Sequence, residues 1–222
     1  MAMEAAVIAD DLTGANDCGV RLAKRGAATA VLIRPGAGEA PQGDALAVDT
    51  DSRAMPPERA REAVRAAAEA VKRLGIARIY KKIDSTMRGN VGAELEAAYE
   101  AFRPDIVALA PGYPRMGRQV IGGTLYVHGT PLHETEFARD PRHPMRESDI
   151  LKLLAAQTDL PAGRIGREAL ADPSRPLGER LERLRAEGKR IIVFDTETEE
   201  DLAKISTAVA LASLSAVWAD FS

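Results

Sequence analysis

The segment Tyr80-Lys-Lys-Ile-Asp-Ser-Thr-Met-Arg-Gly-Asn90 begins inside a predicted strand over residues 78–83 and ends directly before a predicted helix, Val91–Phe102. Successive residues of a strand point to opposite faces, so Lys81 and Lys82 are expected on opposite sides of the sheet. A strand that leads through a short polar turn directly into a helix indicates an α/β unit. The alternative interpretation is an exposed charge pair followed by an ordinary helix start.

Short apolar runs alternate with helical stretches on both sides of this segment. Further strands are predicted at residues 5–9, 29–33, 45–48, 105–110, 190–194 and 216–222, and further helices at 15–25, 56–74, 177–187 and from 199 onward. Apolar strands separated by helices of this kind indicate a parallel sheet. We therefore predict an α/β fold with a mainly parallel sheet and helices on both faces, formed by residues 1–222 as one domain.

Polar residues follow four of the predicted strands at the point where each strand ends. They are Asp10 and Asp11; Asp49, Asp51 and Arg53; Asp84, Ser85 and Arg88; and Gly112, Tyr113 and Arg115. In open parallel sheets, ligands bind beyond the carboxyl ends of the strands. We therefore expect the four sets to meet at one edge of the sheet and to form the ligand site.

The first set combines carboxylates with a helix start. Asp10 and Asp11 could accept hydrogen bonds from the hydroxyl groups of a polyol, and one of these carboxylates could act as a general base. Thr13 is a candidate for the helix N-cap. The alternative is that Asp10 or Asp17 caps the helix or pairs with Arg21.

Arg88 and its neighbours favour binding of an anion. A guanidinium can hold a carboxylate or phosphate through two parallel hydrogen bonds, and Gly89 permits close approach of the backbone. Asn90 is predicted to cap the helix that begins at Val91, whose positive end attracts negative charge.

Two other segments leave alternatives open. Asp49-Thr-Asp-Ser-Arg53 resembles, over a very short length, the nucleophile motif of haloacid-dehalogenase-type phosphatases, which would imply a Mg²⁺-dependent phosphatase. The glycine-rich segment 112–123 resembles an anion-holding loop but has neither the Walker A spacing nor a dinucleotide fingerprint, so an ordinary surface loop is its alternative. Residues 115–147 are otherwise polar, with one candidate hairpin near 125–127 and a helix cap predicted at Ser148.

Composition argues against several classes of partner. The net charge of −3 and the aromatic content of 4% disfavour nucleic-acid binding, and no apolar run is long enough for a membrane span. Cys18, the single cysteine, forms no internal disulfide and is expected to pack as a small apolar side chain in a cytoplasmic protein. His128, His133 and His143 match no standard spacing of metal ligands, so no metal site is predicted.

Five segments together resemble the four-carbon acid sugar kinase family, whose members include threonate, erythronate and 3-oxo-tetronate kinases. The segments are Ile8-Ala-Asp-Asp-Leu-Thr-Gly-Ala-Asn-Asp17, Asp49-Thr-Asp-Ser-Arg53, Tyr80–Asn90, the glycines of 117–123, and Pro131-Leu-His-Glu-Thr-Glu-Phe-Ala-Arg-Asp-Pro141. The resemblance follows the order of the chain over nearly its whole length, which makes it more specific than any single motif.

The resemblance implies a substrate site for a small hydroxy-carboxylate, with Asp11 as the hydroxyl-facing carboxylate and candidate base. The implied substrate-binding residues are Asp10, Asp51, Ser52, Arg53, Lys82, Asp84, Ser85, Arg88 and Gly112. Arg88 and Lys82 are the candidate clamp for the carboxylate of the substrate.

The resemblance also implies ATP and Mg²⁺ for the full-length family enzyme, bound by a C-terminal domain of similar size. This chain has about half the family length, so we expect that domain to be missing or separately encoded and expect no cofactor on this chain alone. It should then bind substrate without turning it over. A stand-alone binding or regulatory module is the second interpretation, and the sequence leaves open whether the chain forms homo-oligomers.

Overall fold

Parallel strands form one large sheet in the computed structural model, which describes residues 3–33, 41–172, 175–212 and 214–220. The strands of the described part are, in chain order, β1 (Ala5–Ala9), β2 (Thr29–Ile33), β3 (Ala45–Asp49), β4 (Arg78–Lys82), β5 (Ile106–Ala110), β6 (Arg118–Ile121), β7 (Thr124–Val127), β8 (Thr130–Pro131), β9 (Ala162–Ile165), β10 (Ile191–Phe194) and β11 (Ala216–Asp220). Eight of them pair in the spatial order β2-β3-β1-β4-β11-β5-β10-β9. All neighbours in this sheet run parallel, which confirms the predicted fold class.

Helices cover both faces of the sheet. They are α1 (Leu12–Lys24), α2 (Pro57–Arg73), α3 (Val91–Phe102), α4 (Ile150–Ala155), α5 (Arg167–Ala171), α6 (Leu177–Ala186) and α7 (Glu199–Leu211). The neighbouring residues Ile8 and Ala9 of β1 point to opposite faces. Ile8 packs in one cluster with Val64 of α2 and Leu95 of α3, whereas Ala9 packs with Cys18 of α1.

Local sequence explains why these helices begin where they do. Pro57 stands in the first turn of α2, where its missing N–H costs no hydrogen bond. Thr198 and Asp201 form a reciprocal capping box at the start of α7. The buried positions of α2, from Ala60 to Val71, recur at helical spacing and face the sheet.

Two of the predicted caps are wrong, whereas Asn90 takes the predicted N-cap position directly before α3. Asp11, not Thr13, caps α1, because its Oδ1 accepts a hydrogen bond from the backbone N–H of Gly14 at 2.8 Å. Asp149, not Ser148, caps α4 through the N–H of Lys152.

Asn90 precedes α3, but its side chain makes no cap hydrogen bond. Its Nδ2 instead donates to the carbonyl oxygens of Ser52 and Met55, at 3.2 and 2.8 Å.

The polar segment after β5 is largely ordered. β6 and β7 form an antiparallel hairpin, with β8 as the third strand of a small sheet, so the hairpin predicted near 125–127 is confirmed. Asp195, at the end of β10, accepts hydrogen bonds from the N–H groups of Gly122 and Gly123, both at 2.9 Å, and binds Arg164. These contacts fix the hairpin turn to the main sheet.

The predicted strand over residues 216–222 is confirmed as β11 up to Asp220, and residues 221–222 lie outside the described part. The assignment of residues 1–222 to one domain stays a prediction. Within the described residues, no helix combines the length and the apolar character that a bilayer crossing would need.

Candidate functional site

Three of the four polar sets meet at the carboxyl ends of adjacent strands. β3, β1 and β4 are neighbours in the sheet, so the residues after Ala9, Asp49 and Lys82 emerge side by side. The fourth set follows β5, which β11 separates from β4. The expected convergence is therefore seen for the first three sets, and these define the candidate site.

Arg53 connects two carboxylates at the end of β1. Its Nε and Nη2 donate to Oδ2 and Oδ1 of Asp10 at 2.6 and 3.0 Å, and its Nη1 donates to Oδ2 of Asp11 at 2.7 Å. Burial disfavours the charge of Arg53, but the hydrogen bonds and charge of Asp10 outweigh it and raise the pKa of the guanidinium. Asp10 and Asp11 are thus held close together by one guanidinium group.

Asp84 and Arg88 form a second charged group beside the first. Nε and Nη2 of Arg88 donate to Oδ2 and Oδ1 of Asp84, both at 2.9 Å, and the hydroxyl of Thr86 also donates to Asp84. Burial alone would raise the pKa of Asp84, but the hydrogen bonds from Arg88 and Thr86 outweigh it and lower this pKa. Arg53 Nη1 lies 3.8 Å from Asp84 Oδ1, which links the two groups.

Lys82 lies on the α1 side of the same edge. Its Nζ donates to the carbonyl oxygen of Ile83 at 2.7 Å. Burial lowers the pKa of Lys82, while the charges of Asp10, Asp11 and nearby groups oppose this shift. On the same face, burial raises the pKa of Cys18 to about 11, so its thiol is uncharged and packs as the apolar side chain that was predicted.

The other predicted site residues around β3 have different surroundings. Ser52 is fully buried, and its Oγ donates to Oε1 of Glu94 at 2.7 Å, away from the open edge. Asp51 is exposed with φ of 49°, a left-handed conformation that aspartate tolerates, and its N–H binds Asp49. Burial raises the pKa of Asp49, and the neighbouring carboxylates act in the same direction. Ser85 is half-buried in the turn after β4.

The residues of the fourth set, Gly112, Tyr113 and Arg115, have different surroundings. A Cβ on Gly112 would lie 1.9 Å from Oγ1 of Thr196, so Gly112 is required for packing after β5. Arg115 pairs with Glu199 at 3.0 Å, at the start of α7. Tyr113 instead contacts the last turn of α1, where its hydroxyl accepts a hydrogen bond from Arg21 at 3.3 Å.

Two features of the site were missed at the level of sequence. The segment 135–143 reaches Arg88, because Oδ2 of Asp140 accepts from Nη1 of Arg88 at 3.1 Å and the ring centroid of Phe137 lies 5.4 Å from its guanidinium carbon. A buried pair of Lys81 and Glu94 lies beneath the site. The resemblance already included segment 131–141, but nothing in the sequence connected it with Arg88.

The described residues contain no group of three or more His, Cys, Asp or Glu side chains placed to hold a metal ion. His133 instead makes a 2.7 Å hydrogen bond with Ser148, and His128 packs against Gly117.

A parallel α/β sheet with carboxylate and guanidinium groups fixed beyond adjacent strand ends is typical of a domain that binds a small polar ligand. Residues 5–220 match the family model described as "Sugar-binding N-terminal domain", and the chain belongs to this family.

Two curated relatives also match this chain over about half of their own length. A D-threonate kinase of Salmonella typhimurium is 42% identical over 208 residues, which are 93% of this chain and 48% of that protein. A D-erythronate kinase of Heliobacterium modesticaldum is 38% identical over 218 residues, or 96% and 50% of the two chains. The chain spans about half the length of these relatives. The predicted resemblance to the N-terminal half of four-carbon acid sugar kinases is thus confirmed.

Solved structures agree with the fold. A protein of Salmonella typhimurium described as a putative tRNA synthase superposes with a TM-score of 0.89 at 28% identity, over 99% of this chain and 53% of that one. A domain of unknown function from Bordetella bronchiseptica, solved with bound citrate as a domain-swapped dimer, gives a TM-score of 0.81 at 33% identity, over 97% and 53%.

Proposed function

We propose that this chain is the sugar-acid-binding domain of an ATP-dependent kinase that phosphorylates a four-carbon acid sugar such as threonate, erythronate or 3-oxo-tetronate. The observation that carries the proposal is the joint placement of Asp10, Asp11 and Asp84 with Arg53 and Arg88 beyond adjacent strand ends. Carboxylates arranged in this way accept hydrogen bonds from hydroxyl groups, and guanidinium groups bind a carboxylate.

The charge of the site favours a hydroxyl-rich ligand with a single negative charge. The carboxylates of Asp10, Asp11, Asp49, Asp51 and Asp84 outnumber the cations Arg53, Lys82 and Arg88. Such an excess of negative charge disfavours a doubly charged phosphate ester, because like charges repel. A sugar acid fits better than the substrate of a phosphatase, and the relatives described above are named as kinases.

Within this proposal, Arg88 and Lys82 bind the carboxylate of the ligand. Asp11 faces the hydroxyl groups, because it is partly exposed, whereas Asp10 is buried beneath it. Asp11 is also the candidate for general base in the full-length enzyme.

The nucleotide belongs to the other half of the enzyme in this proposal. Phosphoryl transfer depends on groups that position the γ-phosphate and neutralise its charge, and in this proposal these groups lie in the C-terminal half of the full-length enzyme. The chain alone binds the acid and does not phosphorylate it. The domain-swapped dimer of the Bordetella relative supports a homo-oligomeric form. A cytoplasmic location stays a prediction.

The test is titration calorimetry of the purified chain with D-threonate and D-erythronate, with the neutral polyol threitol as the control ligand. We expect binding of at least one acid, no detectable binding of threitol, and a loss of at least about tenfold in affinity for Arg88→Ala. Arg65→Ala, which removes an exposed arginine of α2 that pairs with Glu100, is the matched control. Absence of binding by every C4 acid, or an unchanged affinity in Arg88→Ala, would refute the proposal.

A further inference from the structure

A buried ion pair lies beneath the candidate site, on the opposite side of β4 from Lys82. Nζ of Lys81 is 2.7 Å from Oε2 of Glu94 in α3, and the two side chains are only 1% and 2% exposed. Transfer of two charges out of water costs free energy, and a well-packed apolar pair is often equally stable or more stable. A contribution to folding stability is therefore a weak explanation for the presence of a charged pair at this buried position.

The second oxygen of Glu94 connects the pair to the segment after β3. Oε1 accepts a hydrogen bond from Oγ of Ser52 at 2.7 Å. Oγ1 of Thr50 lies 2.7 Å from the same Ser52 oxygen and 2.8 Å from the carbonyl oxygen of Ala9. A continuous buried polar network thus runs from α3 under the ends of β3 and β1.

The same segment positions the arginine of the site. The backbone N–H groups of Ser52 and Arg53 both donate to the carbonyl oxygen of Asp10, at 3.0 and 3.1 Å. Asn90 adds a hydrogen bond to the carbonyl oxygen of Ser52. Ser52 is therefore fixed through its side chain and its backbone immediately before Arg53, whose guanidinium binds Asp10 and Asp11.

We propose that Lys81 and Glu94 are positioning residues for the ligand site. Lys81 holds one oxygen of Glu94, which leaves the other directed at Ser52, and Ser52 in turn sets the backbone from which Arg53 reaches the two carboxylates. This inference rests on the proposed function, because it assigns the network a role in sugar-acid binding. It also changes the role of Ser52, which acts from below the site and does not touch the ligand.

Two double variants separate positioning from stability. Lys81→Met with Glu94→Gln removes both charges but keeps an amide oxygen that can accept from Ser52. Lys81→Met with Glu94→Leu removes both charges and the acceptor. Thermal unfolding should show similar stability for the two double variants, because each replaces the ion pair by uncharged side chains of similar size.

D-threonate is the probe for binding. We expect the Gln double variant to bind within about threefold of the wild type and the Leu double variant to bind at least about tenfold more weakly, since a displaced supporting group misaligns the site. Equal affinity of the two double variants overturns the inference. Ser52→Ala, which deletes only the hydroxyl, gives a second test if the Leu double variant does not fold, and it should also weaken binding by about tenfold.

A measurement without ligand distinguishes failure of this inference from failure of the proposed function. The side-chain Nε–H of Arg53, which donates to Asp10 at 2.6 Å, should give a slowly exchanging nuclear magnetic resonance signal in the wild type and the Gln double variant. That signal should be lost to exchange in the Leu double variant. If the wild type binds no acid, the proposed function fails, and an unchanged Arg53 signal in the Leu double variant separately overturns the positioning role.

Discussion

The guanidinium of Arg53 binds the carboxylate of Asp10 through two parallel hydrogen bonds, Nε to Oδ2 at 2.6 Å and Nη2 to Oδ1 at 3.0 Å. The third nitrogen of the same group binds Asp11 at 2.7 Å. Two adjacent aspartates at a strand end would otherwise repel each other in a partly desolvated place. Arg53 is therefore a structural requirement of the site before any ligand is bound.

Replacement of Arg53 by alanine should lower the free energy of unfolding by about 3 kcal/mol, because the buried carboxylate of Asp10 would lose its partner. Urea denaturation at neutral pH measures this change. Arg59→Ala is the control, since Arg59 is 73% exposed and pairs with Glu62, and a surface change of this kind should stay within about 0.5 kcal/mol. A loss below about 1 kcal/mol in Arg53→Ala would contradict the expected cost.

The lowered pKa of Asp84 predicts that the folded protein becomes less stable in acid. Its pKa in the folded protein lies below the ordinary value of 3.8, because the hydrogen bonds of Arg88 and Thr86 outweigh the effect of burial. A depressed pKa contributes stability that is complete above the unfolded pKa and is lost as the pH falls through the folded pKa. The loss due to Asp84 should thus begin near pH 4 and continue downward.

The melting temperature from pH 7 to pH 2.5 measures this effect in the wild type and in Asp84→Asn. The variant should be less stable at pH 7 and should lose less stability below pH 4, so that the two curves converge in acid. A residual loss is expected in both proteins, because hydrogen bonds to backbone and side-chain groups also lower the pKa of Asp201 against its burial. Parallel curves for the two proteins would show that Asp84 does not carry the predicted linkage.

The fold and the location of the site could be predicted because both depend on patterns that are local in the sequence. A strand followed by a polar turn and a helix occurs at Asp10, and again at Asp84, and parallel strands place such turns at one edge. The alternation of Lys81 and Lys82 also followed from strand geometry, and the structure indeed places them on opposite faces, toward Glu94 and toward α1.

Contacts between distant segments could not be predicted in the same way. The pairing of Lys81 with Glu94 depends on the rotation of α3 about its axis, which no local pattern specifies. The insertion of β11 between β4 and β5 separates Arg115 from the site, and strand order likewise has no local signal. The caps were wrong at Thr13 and Ser148 because several neighbouring residues have suitable side chains and the surrounding structure selects among them.

Gly112 offers a test of close packing after β5. A Cβ there would lie 1.9 Å from Oγ1 and 2.8 Å from Cβ of the buried Thr196. Gly112→Ala should therefore destabilise the protein by about 2–3 kcal/mol through overpacking. Gly178→Ala is the matched control, because no atom of the described residues lies within 4 Å of a Cβ at that position in α6, and alanine should stabilise the helix by up to about 1 kcal/mol.

Thermal and urea unfolding of both glycine variants measure this difference. Opposite signs for the two changes are the expected result. If Gly112→Ala is as well tolerated as Gly178→Ala, then Gly112 does not pack against Thr196 as closely as the structure indicates. In that case the loop after β5 would remain a candidate for direct contact with the ligand.

Asp140 should compete with the ligand for Arg88. Its Oδ2 accepts from Nη1 of Arg88 at 3.1 Å, while its Oδ1 accepts from the backbone N–H groups of Arg142 and His143. Those backbone hydrogen bonds, with a smaller effect of Arg88, lower the pKa of Asp140 and keep it charged at neutral pH. A ligand carboxylate that takes over this Nη1 hydrogen bond of Arg88 must therefore displace an ionised side chain.

Asp140→Asn preserves the acceptor for the two backbone groups and removes the competing charge. Under the proposed function, its affinity for D-threonate should rise by about three- to tenfold in titration calorimetry, because Arg88 gains a free donor for the acid. Asp159→Asn, at an exposed position after α4, should leave the affinity unchanged. Weaker binding in Asp140→Asn would mean that Asp140 orients Arg88 for the ligand. The hypothesis that Asp140 competes with the ligand carboxylate would then be wrong.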